Sequence, residues 1–440
     1  MNPKAAFHTL GCKLNYSETS SVSSQFKLEG FEIVDFNSVA DVYVINTCSV
    51  TENAERECRQ IVRRALRNNP NAFVAVTGCY AQLRPEDISS IQGVDAVLGS
   101  NEKFRILELF QNFEKRDHSC ILVTPTEELD SFNSSFAADS SGRTRAFFKI
   151  QDGCDYTCTY CTIPLARGKS RSLEVNAVIS EFNQLLDQGY KEIILTGVNL
   201  GDYGQNTDQN FHDVLSKMVK VDGDFRIRIS SIEPNLLTDD ILNLVAENKK
   251  ICNHFHIPLQ SGNPKILRLM QRRYSAEYYR DLIIKATGRI EDLAVGVDVI
   301  VGFPGETYDD FLLTYNFLKD LPISYLHVFT YSERPDTKAV ELDGSVDVVE
   351  RKKRNNMLRI LSEKKKHDFY SDMIGKNVKI LFENDDHGGY LYGWTSNYVR
   401  VKHPYDDNLI NTFLQTKITE LDDNICTVSQ ITESATKIAG

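Results

Sequence analysis

No run of eighteen or more apolar residues occurs in the 440-residue chain, so no segment reads as a membrane-spanning helix. The first residues, Met1-Asn2-Pro3-Lys4-Ala5-Ala6-Phe7, lack the apolar core of a secretory signal. No short repeat is present, which excludes a solenoid. A surplus of positive charge is missing too. Lys and Arg number 50 against 61 Asp and Glu, a net charge of −11, and taken over the whole chain this argues against a nucleic-acid partner. The expectation from these absences is a cytoplasmic protein that does not associate with membranes. What is present suffices for real cores: the hydrophobic fraction is 41%, and the length leaves room for roughly two to four domains.

Ten cysteines in a chain of this kind argue for metal or cluster ligation over a disulfide framework. Three of them, Cys154, Cys158 and Cys161, fall within the stretch Asp152–Cys161 with spacing Cys-x3-Cys-x2-Cys. Three thiolates can hold three corners of a cubane iron–sulfur cluster and leave the fourth iron open to a small molecule. The spacing resembles that of radical S-adenosylmethionine (SAM) enzymes. A zinc site is the alternative, but such sites collect four ligands, and no Cys or His occurs in the thirty residues after Cys161.

Upstream, apolar runs alternate with helical patterns, which predicts a parallel sheet. Expected strands at 4–10, 42–48 and 73–79 finish at Cys12, Cys48 and Cys79, and a helix is expected from Glu18 to Gly30. Ligands gather at the carboxyl ends of parallel strands. Gly11 and Gly78 precede two of these cysteines and suit a close backbone approach. A second three-thiolate cluster site follows; three unrelated buried cysteines are the alternative. Residues 124–144 are polar and Ser-rich and read as a linker. Strands are expected again at 145–151, 192–197, 225–231, 254–260, 295–302 and 326–330. Six βα units fall short of a closed eight-stranded barrel and predict a partial (β/α)6 barrel. From residue 374 short β runs at 374–382, 389–394, 398–401 and 424–428 suggest a small antiparallel barrel of OB type. The fold class is thus α/β, with boundaries at 1–123, 124–143, 144–371 and 372–440.

Seven ordered motifs then carry a resemblance: Thr9-Leu10-Gly11-Cys12-Lys13-Leu14-Asn15, Asn46-Thr47-Cys48, Thr77-Gly78-Cys79-Tyr80-Ala81-Gln82, the Cys154/Cys158/Cys161 set, Ala166-Arg167-Gly168-Lys169-Ser170-Arg171-Ser172, His256-Ile257-Pro258-Leu259-Gln260-Ser261-Gly262 and Val301-Gly302-Phe303-Pro304-Gly305-Glu306-Thr307. Together they resemble the radical SAM methylthiotransferases over nearly the whole chain. The resemblance implies an N-terminal cluster domain, a radical SAM core and a C-terminal TRAM domain. It implies two 4Fe-4S clusters, one on Cys154, Cys158 and Cys161 and an auxiliary one on Cys12, Cys48 and Cys79, with SAM as both radical source and methyl donor. The wording around Cys12 and Cys79 is similar to the branch that methylthiolates C2 of N6-threonylcarbamoyladenosine at position 37 of tRNA, although Tyr16-Ser17-Glu18 stands where that branch has Gln-Tyr-Glu. Branches acting on N6-isopentenyladenosine or on a ribosomal-protein aspartate are the alternatives, and a tRNA-binding or cluster-carrying protein without catalysis is a third.

The resemblance also implies that Tyr160 packs near the adenine of SAM, against a plain core role. Gly197, Ser231, Glu233, Gln260, Ile300 and Gly302 stand at strand ends facing the expected SAM cleft. Arg171 would pair with the SAM carboxylate, or be a surface charge. For tRNA, Arg272, Arg273 and Tyr274 would grip phosphate or stack on a base, against a solvated helix end. The run 351–367 holds eight Lys and Arg against one Glu, and Lys352, Lys353, Arg354, Lys364 and Lys365 would track phosphate, against an ordinary solvated face. Trp394 would stack on a base. An electron donor such as flavodoxin or ferredoxin and a monomeric chain complete the expectation.

Overall fold

The computed structural model describes residues 2–48, 52–136, 144–205, 207–386 and 388–429. The first sheet is parallel throughout, in the order β2-β1-β3-β4-β5-β6, with β1 Lys4–Thr9, β2 Glu32–Val34, β3 Val42–Thr47, β4 Phe73–Gly78, β5 Ala96–Leu98 and β6 Cys120–Leu122. Every residue of β3 and β4 is buried, as a central parallel strand covered on both faces requires. Helices α1 (Lys13–Leu28) and α2 (Glu52–Asn68) cover opposite faces, packing into separate apolar clusters.

Helix α1 begins at Lys13, five residues before the expected Glu18. Its first turn is polar, so hydrophobic periodicity missed it. Asn15 fixes that turn by donating to the carbonyls of Leu10 and Thr47, both at 2.9 Å. The 124–144 segment is less loose than its composition suggests. Its strand β7 (Ser135–Phe136) pairs antiparallel with β8 (Arg145–Lys149), and Ser17 donates to the Ser135 carbonyl at 2.8 Å. Residues 137–143 of the expected linker lie outside the described residues.

After β9 (Gln151–Asp152) and β10 (Arg171–Ser172) come β11 Glu192–Thr196, β12 Arg226–Ile229, β13 His254–His256, β14 Ala294–Val301 and β15 Tyr325–Thr330. Strands β8, β11 and β12 pair in parallel, as do β13, β14 and β15. The seam between β12 and β13 is held by single parallel bridges, Ile227 to Ile251 and Ser231 to His256. The six expected parallel strands therefore form one open arc. Its outer face packs against amphipathic helices, two of them started by full capping boxes, Asn210 with Asp213 and Thr307 with Asp310.

The final domain is a closed five-stranded barrel in the order β16-β17-β18-β20-β19, with β16 Asn377–Asp386, β17 Tyr390–Thr395, β18 Arg400–Pro404, β19 Phe413–Asp422 and β20 Ile425–Val428. Sequence reading found four of these strands. Residue exposure along β19 is high, with only Ile418 buried, so its alternation is weak. One neighbouring pair, β18 with β20, is parallel. This barrel seats against the lower rim of the arc. There Arg226 donates to the Trp394 carbonyl at 2.9 Å, and Arg228 donates to the carbonyls of Ser396 and Thr395 at 3.0 and 3.2 Å. Glu192, fully buried, pairs with both arginines.

Candidate cluster and cofactor site

The chain leaves β9 through Gly153, whose φ is +71°. A Cβ there would lie 1.9 Å from the Lys169 carbonyl oxygen, so only glycine passes. The loop then places Cys154, Cys158 and Cys161 in a cavity of about 310 Å³ at the carboxyl ends of the arc strands. Burial pushes the Cys154 thiol up to about 12 and Cys161 up to about 11. Cys158 is raised by burial as well, with Arg272 opposing. All three are thus protonated in the free protein and give up protons on binding metal. Donors are in place for the thiolates: Arg272 Nη1 lies 3.0 Å from Cys158 Sγ, and the Tyr156 amide 3.4 Å from Cys154 Sγ.

The other triad is built by the first sheet. Strands β1, β3 and β4 are neighbours, so their carboxyl ends bring Cys12, Cys48 and Cys79 to one edge. Gly11 and Gly78 have φ of +98° and +99°. A Cβ on Gly11 would lie 2.8 Å from Cys48 Sγ, and one on Gly78 would lie 2.2 Å from the Thr47 carbonyl oxygen. Cys48 and Cys79 are buried and Cys12 is exposed. Burial raises Cys79, with Arg167 opposing.

Among the described residues, neither triad gathers its sulfurs within 4.8 Å of one another; the group that does so is His256, Asp298 and His327. Four thiolates on a single zinc stand about 3.8 Å apart, a consequence of Zn–S bonds near 2.3 Å. Two wide triads of three cysteines, each with hydrogen-bond donors or a glycine cradle, fit a multi-iron cluster better.

The first triad lines that cavity. Arg334 lines it, and its charge acts on both Cys161 and Cys48. Its Nε finds no hydrogen-bond partner among the described residues. The N-terminal domain is bolted to the arc beside it through Glu18 of α1. That carboxylate meets Lys103, Lys149 and Arg167 at 2.6, 3.2 and 3.0 Å, all of them buried. Burial works to raise Glu18, but the three cations outweigh it and hold it well below the usual carboxylate range.

Of the expected SAM residues, Tyr160, Ser231, Glu233, Gln260 and Ile300 line the cavity. Three do not. Arg171 is turned away, donating to the carbonyls of Ser131, Arg167 and Lys169. Gly197 packs against Gln151, and Val198 and Asn199 take its place in the lining. Gly302 lies under the Arg351 side chain, where a Cβ would come within 2.3 Å of it. Arg334, Asn199 and Asp298 were missed. For Arg334 the signal was available: it follows the end of β15, the one strand to which the strand-end rule was not applied.

Residues 4–99 match the family described as Uncharacterized protein family UPF0004, and residues 148–318 match the Radical SAM superfamily. The chain is 40% identical to the threonylcarbamoyladenosine tRNA methylthiotransferase MtaB of Bacillus subtilis (strain 168), over 94% of this chain and 93% of the relative. Identity to the protein of the same name from Aquifex aeolicus (strain VF5) is 38%, over 91% and 96%. The chain belongs to the radical SAM tRNA methylthiotransferases. A tRNA-2-methylthio-N(6)-dimethylallyladenosine synthase of Fusobacterium nucleatum subsp. nucleatum is 33% identical over 86% of this chain and 88% of the relative. Among solved structures, the fold is similar to the radical S-adenosylmethionine methyltransferase TsrM from Kitasatospora setae, with cobalamin and a [4Fe-4S] cluster bound: the TM-score is 0.55 at 14% identity, covering 77% of each chain.

This methylthiotransferase is therefore a radical SAM enzyme that uses SAM and [4Fe-4S] clusters, as its sequence implied. No helix among its described residues is long and apolar enough to cross a membrane. Several of the expected tRNA contacts are spent inside the methylthiotransferase. Arg272 pairs with Glu233 and Cys158, and Tyr274 is buried, donating to the carbonyls of Pro258 and Leu259 at 2.8 and 2.9 Å. Arg354 is buried against Glu306 at 2.7 Å, and Lys365 donates to the Leu321 carbonyl. Trp394 stacks on Tyr398 at 4.4 Å, flanked by Arg145 and Arg400. Arg273 lies over the Tyr156 ring and is exposed, as are Lys352, Lys353 and Lys364.

Proposed function

We propose that this enzyme adds a methylthio group to C2 of N6-threonylcarbamoyladenosine at position 37 of tRNA. The observation that carries the reading is the pair of cysteine triads at strand ends, one lining the cavity and one at the edge of the first sheet. Cys154, Cys158 and Cys161 would hold one 4Fe-4S cluster, and Cys12, Cys48 and Cys79 an auxiliary one. Bound there, these groups and two SAM molecules supply a 5′-deoxyadenosyl radical, a sulfur atom and a methyl group. The chain's own residues position them. Tyr160, Ser231, Glu233, Gln260 and Ile300 would receive SAM, and Arg272 fixes the Cys158 ligand. Arg334, whose Nε has no hydrogen-bond partner among the described residues, offers a charge to a cysteine of each triad.

The exposed Arg273, Lys352, Lys353 and Lys364 supply cations for tRNA phosphates despite the net negative charge. A flavodoxin- or ferredoxin-type donor, a monomeric chain and a cytoplasmic location belong to the same proposal. The relatives at 40% and 38% identity carry the threonylcarbamoyladenosine name and the 33% relative the dimethylallyladenosine one, which favours the first substrate. Methylthiolation of N6-isopentenyladenosine tRNA or of a ribosomal-protein aspartate is the second reading. The test is mass spectrometry of tRNA nucleosides from a strain lacking the gene. Methylthiolated threonylcarbamoyladenosine should vanish; its persistence, with no second copy of the gene, sinks the proposal.

A further inference from the structure

Helix α2 carries arginines that neither cysteine triad uses. Arg56, Arg59, Arg63, Arg64 and Arg67 lie on it together with Gln60. At 3.6 residues per turn these six fall within about 140° of the helix surface. The opposite side, Cys58, Ile61, Val62 and Ala65, is buried in the apolar cluster that includes Tyr43, Ile45, Val74 and Val76 of β3 and β4. Arg56, Gln60, Arg63 and Arg67 are exposed, and the side chains of these three arginines make no hydrogen bond or ion pair among the described residues. Arg64 lies over the Phe36 ring at 5.1 Å, and its Nε has no hydrogen-bond partner among the described residues. Elsewhere in the chain Arg167, Arg228, Arg272 and Arg354 are each spent on a carboxylate.

The stripe destabilises the helix that bears it. Arg59 and Arg63, and Arg63 and Arg67, stand four residues apart, while Arg56 and Arg59, and Arg64 and Arg67, stand three apart. Like charges at these spacings are neighbours and repel. Glu57 is the only acidic residue between Arg56 and Asn68 to offset them. In a chain of net charge −11, such a concentration of cations on one exposed face marks its partner as a polyanion. The position of the face points the same way. Helix α2 opens at Glu52, just after Cys48, and connects the parallel neighbours β3 and β4. It therefore runs back from the sheet edge that bears Cys12, Cys48 and Cys79, and the stripe follows it for about 16 Å from Arg56 to Arg67.

Helix α2 contains no aromatic residue. Its face thus offers no platform on which unstacked bases could lie, and none of the aromatic anchors that carry protein interfaces. What it does offer is a row of guanidinium forks, which match phosphate oxygens. An RNA duplex is gripped through its backbone and shape, and needs no stacking side chain. Resting on the tRNA reading above, we propose that this face of α2 docks the phosphate backbone of the double-stranded stem of the tRNA anticodon arm, leaving the loop free to reach the cysteine triads. Arg56, Arg63 and Arg67 contact the phosphates, and Arg64 borders them from its place on Phe36.

The test is the triple variant Arg56→Gln, Arg63→Gln and Arg67→Gln in the cluster-loaded full chain. Its dissociation constants are measured for an anticodon stem-loop and for the same loop sequence as a linear oligonucleotide. The variant should bind the stem-loop at least about tenfold more weakly than the wild type, with the slope of log affinity against log salt lower by about two to three. It should bind the linear oligonucleotide as the wild type does. Iron content should be unchanged, and the melting temperature should hold or rise, because repelling neighbours have been removed. A lower melting temperature with unchanged stem-loop binding would make the arginines structural and overturn the proposal. If stem-loop affinity and slope are unchanged, or if the linear oligonucleotide loses as much, the stem assignment is wrong while the tRNA reading stands. If the wild type binds neither RNA, both fall. Intact RNA binding with slower cluster reduction by flavodoxin, but not by dithionite, would make the face a dock for an acidic electron donor and overturn the assignment.

Discussion

Arg272 donates to Cys158 Sγ at 3.0 Å while the same guanidinium is paired with Glu233. Sequence reading sent this arginine to tRNA; the fold sends it to the Cys158 sulfur. Hydrogen bonds to cluster sulfurs tune the reduction potential. Arg272→Met should leave iron content intact, move the midpoint of an EPR-monitored titration to more negative potential, and slow SAM cleavage about 10- to 100-fold. An unchanged midpoint would show that the contact does not tune the cluster.

Glu18 compensates three buried cations from two parts of the chain. Glu18→Gln leaves them unmatched and should cost about 3–5 kcal/mol, read as a lower urea midpoint. A loss below about 1 kcal/mol would mean that water or Asp152 already compensates these cations.

The same carboxylate sets an acid limit. Burial opposes ionisation of Glu18 and Glu192, but their arginine and lysine partners prevail, so both are held well below the usual carboxylate range. Their folded-state values lie below the unfolded ones. The stability they confer is complete above about pH 4.5 and is lost as the pH falls further. Urea midpoints between pH 7 and 3.5 should decline below pH 4.5, and less steeply in Glu18→Gln.

Gly11 and Gly78 guard the auxiliary triad only. Gly11→Ala and Gly78→Ala force a side chain into Cys48 and the Thr47 carbonyl respectively. Anaerobic reconstitution should give about eight irons per wild-type chain and about four in either variant, with SAM cleavage retained. Eight irons in both would show that the sheet edge can open.

Lys352, Lys353 and Lys364 are exposed members of the basic run, as is Arg359. Replacing each by Ala should weaken tRNA binding and lower the slope of log affinity against log salt by about one. Trp394→Ala should instead melt the C-terminal barrel at lower temperature, because the ring is already stacked on Tyr398 and bonded to Glu383 at 3.0 Å. A tRNA affinity lost without loss of melting temperature would return Trp394 to the RNA.

The parallel sheet and the convergence of Cys12, Cys48 and Cys79 were legible because these cysteines sit at the ends of continuous apolar strands, a pattern local to each segment, and the other triad was legible from its spacing. The fate of individual arginines was not. Arg354 and Lys353 are adjacent in sequence, yet one is buried against Glu306 and the other is exposed, and the partner lies 48 residues away. Burial of a charge depends on what another segment brings to it. The early start of α1 escaped for a similar reason: Asn15, Ser17 and Glu18 are polar residues on a buried face. Their partners, Thr47, Ser135 and Arg167, are remote in the chain.

Arg226 and Arg228 close the bottom of the arc on carbonyls that belong to the C-terminal barrel. The three domains are therefore not interchangeable parts. A chimera carrying a different barrel would have to present the same carbonyl triplet at the same height, or leave two guanidiniums sharing one glutamate in the dark. Sequence change in the barrel is therefore least constrained on the surface turned away from that seat.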